Sequence, residues 1–456
     1  MSSDRSGAKS FLQRVKHIFS SKKSGTETSY SAELLNDAGV DDGPSKSIMT
    51  IPNSMESLAA PSFLPSGGAS KGTAESGFIE HQPYYHGFLP RDDALLLLEK
   101  PGDFLVRQTD VNQHGRAFVI SVRCALGNVE HIVLYRTKDD QRWMGCGAVR
   151  FDTIPQLVDY YKKRSINEKS TQLIHGIPRQ WWQLYNDQIH LEKALGSGQY
   201  GEVWLGTFKF TMACTPFPVA VKLLRSGAAS KKEDRVQLIK EARLSQSFHH
   251  LNVVSVYGVA MQREPIMIVM ELADGGSLLK LLRERGTSLS LTRHIELALE
   301  ASSGLEYLEK MKCVHRDIAA RNCLMSTVND KLVVKISDFG LSTIGEAKID
   351  DPTTKMAIRW LAPEVLTDFA FSHKSDVWAF GVLLYEIFSD GDVPYPGFSN
   401  QEVRDKVMSM YRMEPPRTTP KLIAELIQAC WQQNPKDRPD FRHVCKRLKK
   451  CLKAFQ

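Results

Sequence analysis

The sequence contains no run of about 18 apolar residues, the length a membrane-crossing helix requires. Its densest apolar stretch, Leu95-Leu96-Leu97-Leu98, is far too short to span a bilayer. The N-terminus lacks a compact apolar core ahead of a small-residue cleavage site, so no secretory signal is expected. Ser2 follows Met1 where N-myristoylation needs glycine. The eight cysteines (124, 146, 214, 313, 323, 430, 445 and 451) form no C-x-x-C pair and have no histidine spacing suited to zinc. Reduced thiols of a cytosolic chain are the expectation. No internal repeat is visible.

What is present divides into three textures. Residues 1–82 are rich in Ser, Gly, Ala and Thr and poor in aromatics. Such a segment buries too little apolar surface to offset its ordering entropy, and disorder is expected. Within it Phe11, Leu12, Val15, Ile18 and Phe19 recur at helical spacing among Arg14, Lys16, Lys22 and Lys23. Segment 8–23 reads either as a basic amphipathic helix making weak contact with an anionic membrane, or as a solvated basic tail. The net charge of +7 favours acidic partners such as phosphates or anionic lipid without choosing among them.

From Tyr84 the texture is that of a compact domain. Asp92–Lys100 predicts a helix, Phe104–Arg107, Ala117–Cys124 and His131–Tyr135 predict strands, and Ile154–Lys162 predicts a second helix. This succession fits a small α+β module over 84–174. Residues 175–187, with Pro178, Trp181 and Trp182, predict a short, tacked-down linker. Over 188–455, strand-like runs at Ile189–Leu195, Glu202–Phe208 and Val219–Leu224 precede a helical stretch, Lys231–Phe248. Beyond Ser277 most of the sequence reads helical. A β-rich small lobe ahead of an α-rich large lobe leaves a cleft, a usual place for a ligand.

The third region carries chemistry-bearing motifs. In Gly196-Ser197-Gly198-Gln199-Tyr200-Gly201 the glycines let the backbone approach phosphates and aim N–H groups at them. A dinucleotide fold needs a helix directly after such glycines. Here Glu202–Thr207 reads as a strand, which points to a hairpin lid over a nucleotide; a ligand-free glycine hairpin is the plainer reading of the loop alone. Val219-Ala220-Val221-Lys222 sets a lysine in an apolar strand, where an unpaired charge is costly. Phosphates and a helix carboxylate would meet that need, and Glu241 is the best carboxylate candidate. Singly, Lys222 reads equally as a snorkelling surface lysine and Glu241 as a solvated helix charge. His315-Arg316-Asp317-Ile318-Ala319-Ala320-Arg321-Asn322 and Asp338-Phe339-Gly340 follow in order.

On these motifs residues 188–455 resemble a protein kinase catalytic domain, with further matches at Ala362-Pro363-Glu364, Asp376–Gly381 and Arg438. The resemblance implies a bilobal fold. ATP would lie against Leu195, Gly196, Ser197, Gly198, Gln199, Tyr200, Gly201, Glu202, Val203, Ala220, Lys222, Met270, Glu271 and Ala273. It implies that Asp317 accepts the proton of the attacking hydroxyl, with Arg321 beside it, and that Lys222 pairs with Glu241. Asn322 and Asp338 would hold Mg2+, with Mn2+ as the alternative. The family counterparts of Glu364 and Arg438 form a buried ion pair, and Asp376 resembles the aspartate that braces the catalytic loop. Ala319-Ala320-Arg321 stands where serine/threonine kinases usually carry a lysine, and Ile358-Arg359-Trp360 resembles the tyrosine-kinase substrate platform.

Tyr84–Arg91 and Gly102–Arg107 resemble an SH2 domain, a central antiparallel sheet flanked by two helices. That resemblance implies a bidentate phosphate contact from Arg107, which a guanidinium fork suits. It implies a second phosphate contact from Arg91, a place beside the ring for His131, and a phosphate loop of Gln108, Thr109 and the following turn. The plain alternative is a structural Arg107 held in salt bridges. Together the two domains most resemble the Fes/Fer-like non-receptor tyrosine kinases, a multidomain α+β architecture. This implies phosphotyrosine-containing partners, protein tyrosine substrates, no nucleic acid, and a cytoplasmic location extending to the inner face of the plasma membrane. The alternative is a catalytically weak scaffold that only binds.

The sequence departs from the group in several places. No membrane-bending N-terminal domain, SH3-like segment or regulatory C-terminal tail is expected. No tyrosine occurs between Asp338 and Glu364; Ser342, Thr343, Thr353 and Thr354 are the hydroxyls there. This puts activation by tyrosine phosphorylation of that loop in doubt. Ala357 replaces a common proline, and Tyr84 replaces the usual tryptophan. Ser245 replaces an apolar packing residue, a change expected to weaken the helix's active position.

Overall fold

A computed structural model describes residues 79–110, 116–167, 171–198, 201–211, 214–224, 232–348 and 356–455. The basic segment 8–23 lies outside them, as do Gln199, Tyr200, Thr353 and Thr354. Of the described residues, 79–208 and 218–455 belong to one compact unit. No helix among them is long and apolar enough to cross a membrane. The eight cysteines are all unpaired.

The first domain is a meander of Asp103–Asp110 (β1), Arg116–Arg123 (β2) and Val129–Arg136 (β3). Trp143–Met144 (β4) and His175–Gly176 (β5) extend it to a five-stranded sheet of order β4-β3-β2-β1-β5. Strand alternation sends Phe104 and Val106 to one face, where they pack with Ile120, Val122 and, from the helix Ile154–Lys162 (α2), Leu157, Val158 and Tyr161. Helix α2 has the bounds its sequence predicts because Thr153 and Gln156 form a capping box. Helix Arg91–Leu97 (α1) stops short of the expected Lys100. Leu98 is extended there, and the N–H groups of Glu99 and Lys100 donate to Asp103 Oδ2 at 3.0 and 2.7 Å instead of continuing the helix. A two-residue strand such as β5 carries no readable periodicity. Tyr84, at the usual tryptophan position, is buried against Phe104, with ring centroids 5.3 Å apart.

The second domain begins with a six-stranded sheet of order β6-β10-β11-β9-β8-β7. Its strands are Gln183–Leu184 (β6), Ile189–Gly198 (β7), Gly201–Phe208 (β8), Phe217–Leu223 (β9), Val256–Ala260 (β10) and Met267–Glu271 (β11). Helix Lys232–Gln246 (α3) packs on it. The segment read as a linker supplies β6, which pairs in parallel with β10. The helical lobe comprises Leu278–Arg285 (α4), Leu291–Lys310 (α5), Pro363–Asp368 (α6), His373–Phe388 (α7), Asn400–Met408 (α8), Lys421–Cys430 (α9) and Phe441–Phe455 (α10). Every residue of α7 from Ser375 to Phe388 is buried, so this helix is the axis of the lobe. Short pairings complete it: Cys313–Val314 (β12) with Thr343–Ile344 (β15), Cys323–Val328 (β13) with Lys331–Ile336 (β14), and Ala347–Lys348 (β16) with Ala370–Phe371 (β17).

One apolar cluster belongs to both domains. Phe88, Leu89, Ala94, Leu98 and Leu105 meet Trp182, the α3 residues Leu238, Ile239 and Ala242, and Val259 and Ile268 of the sheet. Ion pairs Asp93–Arg243 and Asp110–Arg235 flank it. Tyr85 donates its hydroxyl to the Gln262 carbonyl at 2.9 Å, and Phe88 N donates to the Met261 carbonyl at 2.8 Å. Gly87 makes that approach possible: its φ is 61°, and a Cβ there would lie 2.0 Å from the Met261 carbonyl oxygen.

His86 seals the junction. It is buried, its Nε2 lies 2.9 Å from the Ile177 carbonyl, and burial pushes its imidazole down to about 4. With a depressed native pKa, the stability it contributes is present above the unfolded value of about 6.5 and is lost as pH falls toward 4. His86→Asn should therefore flatten the decline of unfolding free energy between those pH values, read by urea titration. An unchanged slope would assign the acid limb to other groups.

Candidate active site

The site lies where β9 and α3 meet the loop that carries Asp338. Lys222 projects from β9, is buried, and donates to Glu241 Oε1 of α3 at 2.7 Å and to Asp338 Oδ1 at 3.3 Å. Burial favours the neutral amine, but the two carboxylates outweigh it and hold the Lys222 pKa above its usual value. Burial likewise opposes ionisation of Asp338, and Lys222 with His315 lowers it below the usual carboxylate value. Asp338 sits at φ 63°, a left-handed conformation that aims its carboxylate at the lysine. Gln237 of α3 donates to the Gly340 carbonyl at 2.7 Å, tying the helix to the same turn.

Ser245 does not loosen this arrangement. It is buried, and its hydroxyl donates to the Glu241 carbonyl at 2.8 Å, so its polar atom is satisfied within α3. The Lys222–Glu241 pair stands closed despite the substitution.

Asp317 and Asn322 face the cleft from the loop before β13. Asn322 Nδ2 donates to Asp317 Oδ2 at 2.7 Å and to its carbonyl at 2.8 Å, so its amide oxygen points elsewhere. Arg321 pairs with Asp317 Oδ1 and lies over the Trp360 ring, 4.6 Å from its centroid. Asp376 of α7 accepts from His315 N and Arg316 N at 2.7 and 2.9 Å, bracing the loop from the core. Among the described residues no cluster of three or more His, Cys, Asp or Glu could hold a metal alone. The donor set of Asn322 and Asp338 suits an ion that shares its coordination with phosphate oxygens, as magnesium does.

The expected nucleotide contacts are brought together in part. Gly196 and Gly198 lie on β7 and Gly201, Glu202 and Val203 on β8, paired across the hairpin, with Leu195 exposed at its edge. Gly201 is required by sterics, since a Cβ there would sit 2.1 Å from the Leu223 carbonyl oxygen. Ala220 and Met270 are register partners on β9 and β11, and Ala273 follows β11. The Glu271 side chain is committed away from a ligand: it accepts from Ser255 N at 3.0 Å and from Lys335 Nζ at 2.9 Å.

In the first domain Arg107 is buried and its Nε donates to Ser121 Oγ at 3.1 Å. Ser121 Oγ lies 2.9 Å from His131 Nδ1. Ser121 is a link the sequence reading missed, although its place opposite His131 follows from strand register. Burial and the charge of Arg91 push Arg107 down to about 10, still cationic, and among the described residues no carboxylate pairs with it. Burial, then Arg107 and Arg91, push His131 down to about 4. A buried guanidinium with no carboxylate partner among the described residues suits a phosphate ligand. Thr109 lies two residues along β1 from Arg107, on the same side. The turn after it lies outside the described residues.

A glycine hairpin, the Lys222–Glu241 pair and the polar side chains of Asp317, Asn322 and Asp338 thus meet between a β-rich and a helical lobe. The chain belongs to the family described as protein tyrosine and serine/threonine kinase, whose model matches residues 189–448; residues 84–161 match the SH2 domain. It is 38% identical to the tyrosine-protein kinase Fer of Homo sapiens over 378 residues, 81% of this chain and 44% of that protein. It is 37% identical to Fer-related kinase 1 of Caenorhabditis elegans over 376 residues, 81% of this chain and 94% of that protein. It is 38% identical to the transforming protein Fps of an avian sarcoma virus over 369 residues, 80% of this chain and 66% of that protein. The chain thus spans less than half the length of human Fer.

The Glu364–Arg438 pair ties α6 to the segment before α10. Arg438 donates to both carboxylate oxygens at 2.6 and 2.8 Å, and its side chain is fully buried. Glu364→Ala leaves that buried guanidinium with only the carbonyls of Lys374, Gln432 and Gln433 and no anionic partner, and breaking a buried pair by removing one partner costs about 3–5 kcal/mol. Denaturant titration should show a loss of this size; a loss under about 1 kcal/mol would mean the pair behaves as a surface one.

Proposed function

We propose that this chain is a non-receptor protein tyrosine kinase of the EC 2.7.10.2 type, transferring the γ-phosphoryl group of ATP to protein tyrosine and recruited by phosphotyrosine partners through its SH2 domain. The observation that carries the reading is the closed Lys222–Glu241 pair at 2.7 Å, with Asp338, Asp317 and Asn322 on the same cleft. Lys222 would hold the ATP phosphates, and Asn322 and Asp338 would hold Mg2+, or Mn2+ in its place. The ion, when bound, neutralises phosphate charge. Asp317 would orient the tyrosine hydroxyl and accept its proton, with Arg321 fixing the carboxylate. The glycine hairpin would exclude water. Nothing found favours a scaffold that only binds.

Arg107, Arg91, His131 and Thr109 would form the phosphotyrosine pocket. We place the protein in the cytoplasm, with the basic segment 8–23 adding a contact to anionic membrane at the inner face of the plasma membrane. Without a loop tyrosine between Asp338 and Glu364, control would fall chiefly to where the SH2 domain takes the enzyme.

Purified protein with Mg-ATP should phosphorylate a tyrosine-containing polymer, and Asp317→Asn should lower the rate by at least about a hundredfold. Transfer to serine or threonine alone would overturn the specificity. Arg107→Ala removes charge-assisted bonds worth roughly 1.5–3 kcal/mol each. It should abolish phosphotyrosine-peptide binding in calorimetry while leaving polymer phosphorylation intact; unchanged affinity would remove Arg107 from the pocket.

A further inference from the structure

We infer that Glu386 is the positioning residue for the tyrosine substrate: its buried carboxylate ties the Trp360 indole to the catalytic loop and so sets where an incoming aromatic ring can lie relative to Asp317. The inference rests on the reading of the chain as a tyrosine kinase and adds a residue to it.

Glu386 lies on α7, in the run Phe380-Gly381-Val382-Leu383-Leu384-Tyr385-Glu386-Ile387-Phe388, and is 2% exposed. A carboxylate inside a helix buried on every side is costly unless specific donors meet it. Two do. Glu386 Oε2 accepts from Trp360 Nε1 at 3.0 Å and from the backbone N–H of Ala320 at 3.0 Å. The two donors come from separate segments, the turn Ile358–Trp360 and the turn Ala320–Asn322. One oxygen therefore joins the outer wall of the cleft to its catalytic floor.

A second contact closes the loop. Arg321 follows Ala320 in sequence, lies over the face of the same indole, and pairs with Asp317. Trp360 is held at its N–H edge by Glu386 and on its face by Arg321. Trp360 and Asp317 also line one small pocket of the helical lobe, together with Phe371 and Asp376. An indole pinned at two points next to a catalytic carboxylate is a rigid wall for an aromatic side chain. Burial pushes the Glu386 carboxyl up to about 7, against the pull of Trp360, Ala320 and Arg321.

The test compares Trp360→Phe, which deletes only the indole donor, with Glu386→Leu and Glu386→Gln, the last retaining an amide oxygen as acceptor. Steady-state kinetics are run with a tyrosine peptide and with ATP varied separately, on protein whose melting temperature has been recorded. Trp360→Phe should raise KM for the peptide about tenfold, the loss expected for one hydrogen bond to a charged acceptor, with KM for ATP changed less than about twofold. Glu386→Leu should do the same or more, and Glu386→Gln should recover most of the wild-type peptide KM. An unchanged peptide KM in Trp360→Phe overturns the inference, as does a parallel rise in both KM values, which marks a merely structural role. If Glu386→Leu does not fold, Trp360→Phe and Glu386→Gln decide the matter. Wild-type protein that phosphorylates no tyrosine at all would instead sink the kinase reading itself.

Discussion

The ion pair between Lys222 and Glu241 is the constraint on which the rest depends. Its two charges lie in a buried setting, where attraction offsets desolvation only if the geometry is held. The geometry is held from both sides. Toward the cleft, Asp338 gives Lys222 a second carboxylate and Gln237 ties α3 to Gly340. Away from the cleft, Leu238, Ile239 and Ala242 of α3 are covered by Phe88, Leu89 and Leu105 of the SH2 domain and by Trp182. Moving α3 to open the pair would also tear an apolar cluster and the Asp93–Arg243 and Asp110–Arg235 pairs. The SH2 domain is therefore part of the packing that keeps Lys222 and Glu241 together.

The helical lobe uses the same device, charge brought into apolar surroundings to fix a loop. Helix α7 carries Asp376, which holds the backbone of His315 and Arg316, and Glu386, which holds Ala320 and Trp360. The catalytic loop is thus suspended from two carboxylates on one buried helix. Phe339 adds apolar support, packing its ring 5.2 Å from those of His315 and Phe248.

Much of this was legible in the sequence, and unevenly so. The glycine hairpin, Lys222, Asp317, Asn322 and Asp338 stand out because their chemistry demands particular residue types at fixed offsets. Helix α2 was readable to its ends because Thr153 and Gln156 announce its cap. Helix α1 was overextended because Asp103 draws the N–H groups of Glu99 and Lys100 away, a competition that no periodicity records. The linker's role as a strand of the kinase sheet escaped because two residues, Gln183 and Leu184, carry no pattern. The shared cluster escaped because Phe88, Leu89 and Leu98 look like any hydrophobic residues until the fold shows what they meet. Glu386 did leave a signal, a lone acid in an otherwise apolar helical run.

Because Phe88, Leu89 and Trp182 are divided between domains that are commonly thought of as interchangeable parts, this SH2 domain is a poor candidate for transplantation. A phosphotyrosine-binding module from another chain, even one with an identical pocket, would arrive with the wrong back surface. A hybrid gene would have to inherit the pocket, the α1 surface and the tryptophan of the connecting segment together. The joined pair is then the unit that packs, and a change of volume on either back surface is felt by the other.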